Sequence, residues 1–169
     1  VMTMAFGKLE IPAEVNGYQV VAVGPGAFLN CKHLTEVVLP ASVTRIGDWA
    51  FMNTGLTTMR LPQLTHLGEG ALSGCDQLTE IEIPGSLKKV GQFAFDESEY
   101  LEKVVIQSGV TEIARCAFVF CYRLQTLEWQ SPATVKKIGS LAFKCTDFTS
   151  VTLPASLTMI GEGAFSVCI

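Results

Sequence analysis

Residues Leu34 to Asn53 read LTEVVLPASVTRIGDWAFMN, and variants of this stretch recur along the whole chain. Its second half, IGDWAF from Ile46, has six relatives: VGPGAF from Val23, LGEGAL from Leu67, VGQFAF from Val90, IARCAF from Ile113, IGSLAF from Ile138 and IGEGAF from Ile160. The intervals between these seven anchors are 23, 21, 23, 23, 25 and 22 residues. Self-similarity at that period identifies a repeat architecture, each copy being one structural coil. The first half recurs as LTTMRLPQL from Leu56, LTEIEIPGSL from Leu78 and FTSVTLPASL from Phe148, with looser copies from Leu101 and Leu124.

In L-x-x-V-x-L-P, Val37 and Leu39 point one way while Glu36 and Val38 point the other, the period of a short strand with one buried face. Proline follows it at Pro12, Pro40, Pro62, Pro84 and Pro154. It has no amide to donate and fixes φ, so it ends the ladder and marks a corner. A second alternating segment, Val43 to Gly47 and its equivalents, predicts another strand on a different side of the coil. Glycine follows six of the seven anchors, Ala114 being the exception, and reads as a tight backbone turn. Alanines at 27, 50, 71, 94, 117, 142 and 164 allow close packing. Phe28, Phe51, Phe95, Phe118, Phe143 and Phe165 are expected to stack into a spine, with Leu72 substituting once. Phe6, Leu9, Ile11 and Pro12 fit the places of Leu34, Val37, Leu39 and Pro40, so the chain is expected to begin inside a repeat. Asn16-Gly17-Tyr18 lies in a five-residue insertion. After Cys168-Ile169 no polar capping unit follows. A unit this small cannot bury its apolar side alone, so the coils share one core. Seven coils at strand spacing span about 34 Å.

The recurring LTEVVLPASVTRIGDWAFMN and G-x-x-A-F-x-x-C resemble the BspA-like leucine-rich repeats, also called the Treponema pallidum type. The resemblance covers Phe6 to Cys168. Departures are Glu97-Ser98-Glu99 where Asn-Cys is usual, an insertion at Gln130-Ser131-Pro132, and one-residue deletions before Leu56 and Phe148. The expected fold is a β-rich solenoid, a right-handed leucine-rich-repeat stack of about seven coils of 21–25 residues with short parallel strands and tight turns. Residues 1–169 are read as a single solenoid belonging to a longer surface protein. The resemblance implies an extracellular or bacterial cell-surface location and a binding role, several members being adhesins for host matrix proteins or other microbes. The shared motif consists of core and turn positions, so it transfers no ligand-contacting residue.

Composition narrows the function classes. Hydrophobic residues make up 49% of the 169 and charged residues only 17%, against about 25% in an average soluble domain. With 12 basic and 16 acidic side chains the net charge is −4, which argues against a nucleic-acid partner. The mean hydropathy is +0.37. The longest nearly apolar stretch, Val20 to Leu29, is broken by Gly24, Pro25 and Gly26, so no transmembrane segment is expected. Residue 1 is Val and no secretion signal opens the sequence.

Chemistry-bearing residues are sparse. Cys31, Cys75, Cys121 and Cys168 occupy one slot of alternate coils, about 10 Å apart by strand spacing, beyond the reach of a disulfide. They read as buried thiols. Cys116 and Cys145 lie at other slots and read as small hydrophobes. Cys31-x-His33 is the only close pair of soft ligands, too little for zinc. His66 falls in an outward column with Arg45, Lys89, Glu112, Lys137 and Met159, which argues for solvated surface over a catalytic base. Asp96, Glu97 and Glu99 form an acidic loop that reads as solvated rather than as a calcium site. No cofactor and no enzymatic activity are expected. The outward strand columns are Glu36, Thr58, Glu80, Lys103, Thr126, Ser150 and Val38, Arg60, Glu82, Val105, Glu128, Thr152. From them Glu36, Arg60, Glu80, Glu82, Lys103 and Glu128 are the candidate contacts for a protein or glycan ligand. Trp129 is expected in the core, and Trp49 and Phe93 partly exposed on the back of their coils. The alternative reading is a structural spacer or assembly unit, self-associating through uncapped ends.

Overall fold

The computed structural model describes residues 6–61 and 63–168; Pro62 and Ile169 therefore lie outside the described residues. Coil one holds β1 (Gly7–Glu10), a hairpin of β2 (Glu14–Val15) and β3 (Tyr18–Gln19), and β4 (Ala22–Val23). Coil two holds β5 (Leu34–Val38) and β6 (Arg45–Ile46), and coil three β7 (Thr58–Met59) and β8 (His66–Leu67). Next come β9 (Glu80–Ile83) and β10 (Lys89–Val90) in coil four, then β11 (Lys103–Ile106) and β12 (Glu112–Ile113) in coil five. Coil six has β13 (Thr126–Trp129) and β14 (Lys137–Ile138), and coil seven β15 (Met159–Ile160). Among the described residues there is no helix. Every strand pair between coils is parallel, and the five-residue insertion forms the antiparallel β2–β3 hairpin.

The expected alternation decides what is buried. Val37, Ile81, Ile83, Val104 and Ile106 face the core. The second strands contribute Val23, Ile46, Leu67, Val90, Ile113 and Ile138. Phe28 stacks on Phe51 at 5.1 Å, and Phe95, Phe118, Phe143 and Phe165 form an uninterrupted column with ring separations of 5.0, 5.2 and 5.3 Å. Leu72 bridges the two stacks as a fully buried side chain. The proline carbonyls at Pro40, Pro84 and Pro154 each accept the amide three residues on, from Val43, Leu87 and Leu157, which closes the corner.

The back of each coil is a third ladder. The Phe or Leu amide donates to the alanine carbonyl of the next coil, as in Phe28 to Ala50, Leu72 to Ala94 and Phe118 to Ala142. Two flanking residues donate alongside it, and both have positive φ. One column runs Gly26, Trp49, Gly70, Phe93, Cys116, Leu141, Gly163, and the other Asn30, Asn53, Gly74, Glu97, Phe120, Cys145, Val167. An L side chain in this region costs about 1–2 kcal/mol, and here the interlocked ladder enforces it. In the first column large and small residues alternate because they overlap. A Cβ on Gly70 would lie 2.7 Å from Cδ1 of Trp49, and one on Gly163 would lie 2.8 Å from Cδ2 of Leu141.

Several sequence expectations need correction. The glycines after the anchors do not serve a left-handed turn; from Gly47 onward they admit the backbone of the preceding coil, since a Cβ on Gly47 would lie 2.6 Å from Pro25 N and one on Gly139 2.6 Å from Arg115 N. Phe6 does not take the place of Leu34. A register irregularity pairs Gly7 with Leu34, and Phe6 is exposed and stacked on His33 at 5.2 Å. Trp129 packs against the core but is only half-buried, its indole donating to the Thr152 carbonyl at 2.9 Å. Coil seven has no first strand, so Ser150 and Thr152 lie outside the ladder. All six cysteines are free thiols, but Cys31, Cys145 and Cys168 are only half-buried.

Coils three and four meet differently from all the others. At other junctions the second-strand side carries repeated bonds, such as Thr65 to Thr44, Thr111 to Lys88, Lys136 to Thr111 and Thr158 to Lys136. Among the described residues neither β7 and β9 nor β8 and β10 pair, so both sheets break at this seam. Among the described residues the only backbone bonds that cross it are those of the back ladder, Gly70 to Gln92, Leu72 to Ala94 and Gly74 to Asp96. Coil three closes the 21-residue interval, the shortest of all.

Candidate functional site

The first-strand ladder presents the two outward columns. Lys8 pairs in register with Glu36, and Glu10 with Val38, so each column begins one coil earlier than the sequence columns. Glu36 is held by Lys8 at 3.2 Å, and this carboxylate, through its hydrogen bond and its charge, raises the pKa of Lys8. Past the seam, Glu80, Lys103 and Thr126 stand level, as do Glu82, Val105 and Glu128. Lys103 reaches diagonally to Glu128 at 3.0 Å and lies 4.0 Å from Glu80. The hydrogen bond that Lys103 donates to Glu128 chiefly raises its pKa, outweighing desolvation. Such exposed pairs orient side chains more than they stabilise the fold.

Glu82 is fixed by groups the sequence reading did not single out. Gln107 and Gln130 both donate side-chain amide hydrogens to its Oε1. These glutamines replace the corner proline, following Ile106 and Trp129 where Pro84 follows Ile83. That substitution is the signal that pointed to them. Their bridge passes over Val105, which is 8% exposed rather than an outward apolar point. Val38 remains exposed.

Arg60 stands apart from this network and forms no ion pair among the described residues. It lines a cleft of about 710 Å³ over the seam with Thr58, Met59, Leu61, Glu80 and Glu82. A second hollow of about 510 Å³ opens beyond β13, between Glu128, Trp129 and the strandless first side of coil seven. Both hollows lie where the ladder stops. The structure therefore groups five of the six candidates, Arg60, Glu80, Glu82, Lys103 and Glu128, around the seam and coils four to six, while Glu36 lies with Lys8 at the other end.

The second-strand face has its own cluster. Glu112 lies between Lys89 at 3.1 Å and Lys137 at 3.3 Å. Burial alone pushes its pKa up, but hydrogen bonds from the two lysines bring it below the ordinary value. His66 pairs in register with Arg45 and is exposed, as expected for that column. Asp96 is half-buried with its Oδ1 unpartnered, and burial first, then the Glu97 charge, raise its pKa to about 6. Among the described residues no group of three or more His, Cys, Asp or Glu side chains is placed to hold a metal. Among the described residues no helix is long and apolar enough to cross a membrane.

A model of the BspA-type leucine-rich repeat region matches in six copies over residues 4–125 and 65–169. No curated protein matches the chain. Among solved structures, a leucine-rich repeat protein from Eubacterium ventriosum aligns with 97% of the chain at 25% identity and a TM-score of 0.81. A leucine-rich repeat protein from T. pallidum aligns with 82% at 24% identity and 0.69. A leucine-rich cell surface protein from Faecalibacterium prausnitzii aligns with 96% at 27% identity and 0.53. The chain spans 43%, 75% and 51% of these three, so about half the length of two of them.

Proposed function

We propose that this chain, which belongs to the BspA-type leucine-rich repeat family, is a non-enzymatic binding module displayed outside a bacterial cell. Its ligand is a protein or glycan recognised by the first-strand face. The observation that carries this reading is the preset row Glu80, Lys103, Glu128 with Glu82 clamped by two glutamines. Side chains fixed before binding lose less entropy on association. Similarity to a protein named for the cell surface supports the location.

The test is binding of the purified chain to immobilised host matrix proteins and a glycan panel, beside a Glu80→Lys, Glu82→Lys, Glu128→Lys variant. Binding lost in the variant at unchanged thermal unfolding supports the reading. Absence of binding across the panel, or binding indifferent to the three charges, overturns it. The apolar hollow of coil seven framed by Phe148, Val151, Leu153 and Phe165 favours the second reading, an assembly unit stacking through that surface. A strict monomer in high-concentration sedimentation would remove it.

A further inference from the structure

Five of the chain's 12 basic residues, Lys88, Lys89, Arg115, Lys136 and Lys137, lie on the second-strand side of coils four to six, with Glu112 the single acid among them. That patch is net +4 on a chain whose total is −4. The ladder sets its spacing. Lys89, Glu112 and Lys137 are level on successive rungs, and main-chain bonds place Thr111 between Lys88 and Lys136 in the same way. Lysines of coils four and six therefore stand two rungs, about 9.6 Å, apart. Arg115, Lys89, Glu112 and Lys137 line a hollow of about 280 Å³, together with the uncharged side chains of Gln92, Ser140 and Met159.

Glu112 does not exhaust this charge. It holds Lys89 at 3.1 Å and Lys137 at 3.3 Å, and each ammonium keeps further N–H donors. Among the described residues Arg115 and Lys136 form no ion pair, and the Lys88 ammonium reaches only the carbonyls of Gly85 and Gly109. The patch also ends sharply. In coils two, three and seven the slot of Gln92, Arg115 and Ser140 holds Asp48, Glu69 and Glu162.

We propose that this face binds a sulfated polysaccharide across coils four to six, one sulfate ester seating in the hollow between Arg115 and Lys137 and a second meeting Lys136 on the adjacent column. Each feature of the ligand has its cause in the site. Arg115 offers a planar fork of N–H groups and Lys137 a point charge, a pair that suits an oxyanion with several terminal oxygens. Gln92 and Ser140 both donate and accept, which suits ring hydroxyls placed between charged groups. Met159, 53% exposed, gives the C–H face of a sugar ring an apolar neighbour. The short extent disfavours other polyanions. Duplex nucleic acid carries a charge about every 1.7 Å along its axis and would run onto Asp48, Glu69 or Glu162, and a flat anionic membrane would meet those acids as well. An acidic peptide brings carboxylates but no hydroxyls for Gln92 and Ser140. This site lies off the first-strand face and does not depend on the reading given to that face.

The experiment titrates the whole chain into a fluorescein-labelled heparin hexasaccharide at physiological ionic strength. Comparators are the desulfated, N-acetylated hexasaccharide, and a glutamate peptide and an oligothymidylate of matched charge. The sulfated probe is expected to bind at least about tenfold tighter than each comparator. Arg115→Gln with Lys137→Gln should weaken it by at least about tenfold, while Lys32→Gln with Arg123→Gln, the same charge loss at two other exposed positions, stays within about twofold. Glu112→Gln removes the one anion and should tighten binding at least about threefold, a gain that a folding defect does not produce. The Glu80→Lys, Glu82→Lys, Glu128→Lys variant should bind the probe at least as well as the parent. No binding, a comparator that binds equally, equal losses in the two double variants, or no gain in Glu112→Gln overturns the proposal. Loss of the probe in the triple lysine variant at unchanged thermal unfolding overturns it too, by placing recognition on the first-strand face.

Discussion

Leu72 donates its amide to the Ala94 carbonyl at 2.8 Å, and that bond joins two coils whose strands are unpaired on both other sides. Most other junctions are held by three ladders and that between coils six and seven by two; here, among the described residues, there is one. Local opening free energy follows the number of cooperative bonds broken, so the seam is the weakest plane of the solenoid. Amides of Lys88, Lys89 and Gly91 should exchange at least about tenfold faster than Thr111, Glu112 and Ala114, their counterparts one coil on. Equal protection in native-state hydrogen exchange would mean that the seam is bridged in solution.

The close approach at the post-anchor glycines gives a direct stability test. Gly139 admits the Arg115 amide nitrogen where a Cβ would lie 2.6 Å away, and the obstacle is backbone, which cannot rotate aside. Gly139→Ala should cost about 1–3 kcal/mol as overpacking. Measured by chemical denaturation, a change under about 0.5 kcal/mol would show that the coils separate freely at that point.

Phe118 sits inside the uninterrupted stack, between Phe95 and Phe143. Phe118→Ala should lose about 3–5 kcal/mol. Phe118→Leu should lose well under half of that, since Leu72 occupies the equivalent place with full burial. Two similar losses would indicate that ring stacking, rather than volume, dominates the spine.

The thiol column is more regular than cysteine spacing revealed. Cys75, Cys121 and Cys168 alternate with Thr54, Ser98 and Thr146, and each of these groups donates to a carbonyl of a spine residue: Phe51 for Thr54 and Cys75, Leu72 for Ser98, Phe95 for Cys121, Phe143 for Thr146 and Cys168. Burial pushes the Cys75 thiol up to about 11 and Cys121 further in the same direction. Thiolate is the reactive form, so at pH 8 iodoacetamide should modify Cys31, Cys145 and Cys168 well before Cys75 and Cys121. Peptide mapping that shows all six labelled together under native conditions would contradict this burial order.

What the repeat encodes was readable, because a repeated residue type in a repeated slot reports a repeated environment: the strand columns as far as coil six, the Phe spine and the corners at Pro40, Pro84 and Pro154 lie where periodicity placed them. The left-handed columns were hidden because Trp49, Phe93, Cys116 and Leu141 share a conformation that their own types disfavour; the carbonyls of the next coil impose it. The seam was hidden for another reason. It is a relation between adjacent coils, which no single coil displays. Within the candidate site the charged columns were legible, whereas the Gln107 and Gln130 clamp required knowing that two coils lie within reach of Glu82.

Asp96 supplies the pH test, and its sign follows from linkage. Its folded pKa of about 6 lies above the ordinary 3.8 because burial first, and the Glu97 charge second, disfavour the carboxylate. The native chain therefore holds this proton more tightly than the unfolded chain. Its stabilising effect is complete below pH 4 and is lost as pH rises through about 6. Since the group is half-exposed, solvent screening limits the loss to the order of 1 kcal/mol. Asp96→Ser puts at this slot the residue found at Ser73 and Ser166 in the equivalent slots of coils three and seven. The variant should gain about 1 kcal/mol relative to the parent at pH 8 and little at pH 4. Urea denaturation at the two pH values checks it. An equal gain at both would place the effect in packing, with the buried, unpartnered Oδ1 rather than its charge as the cause.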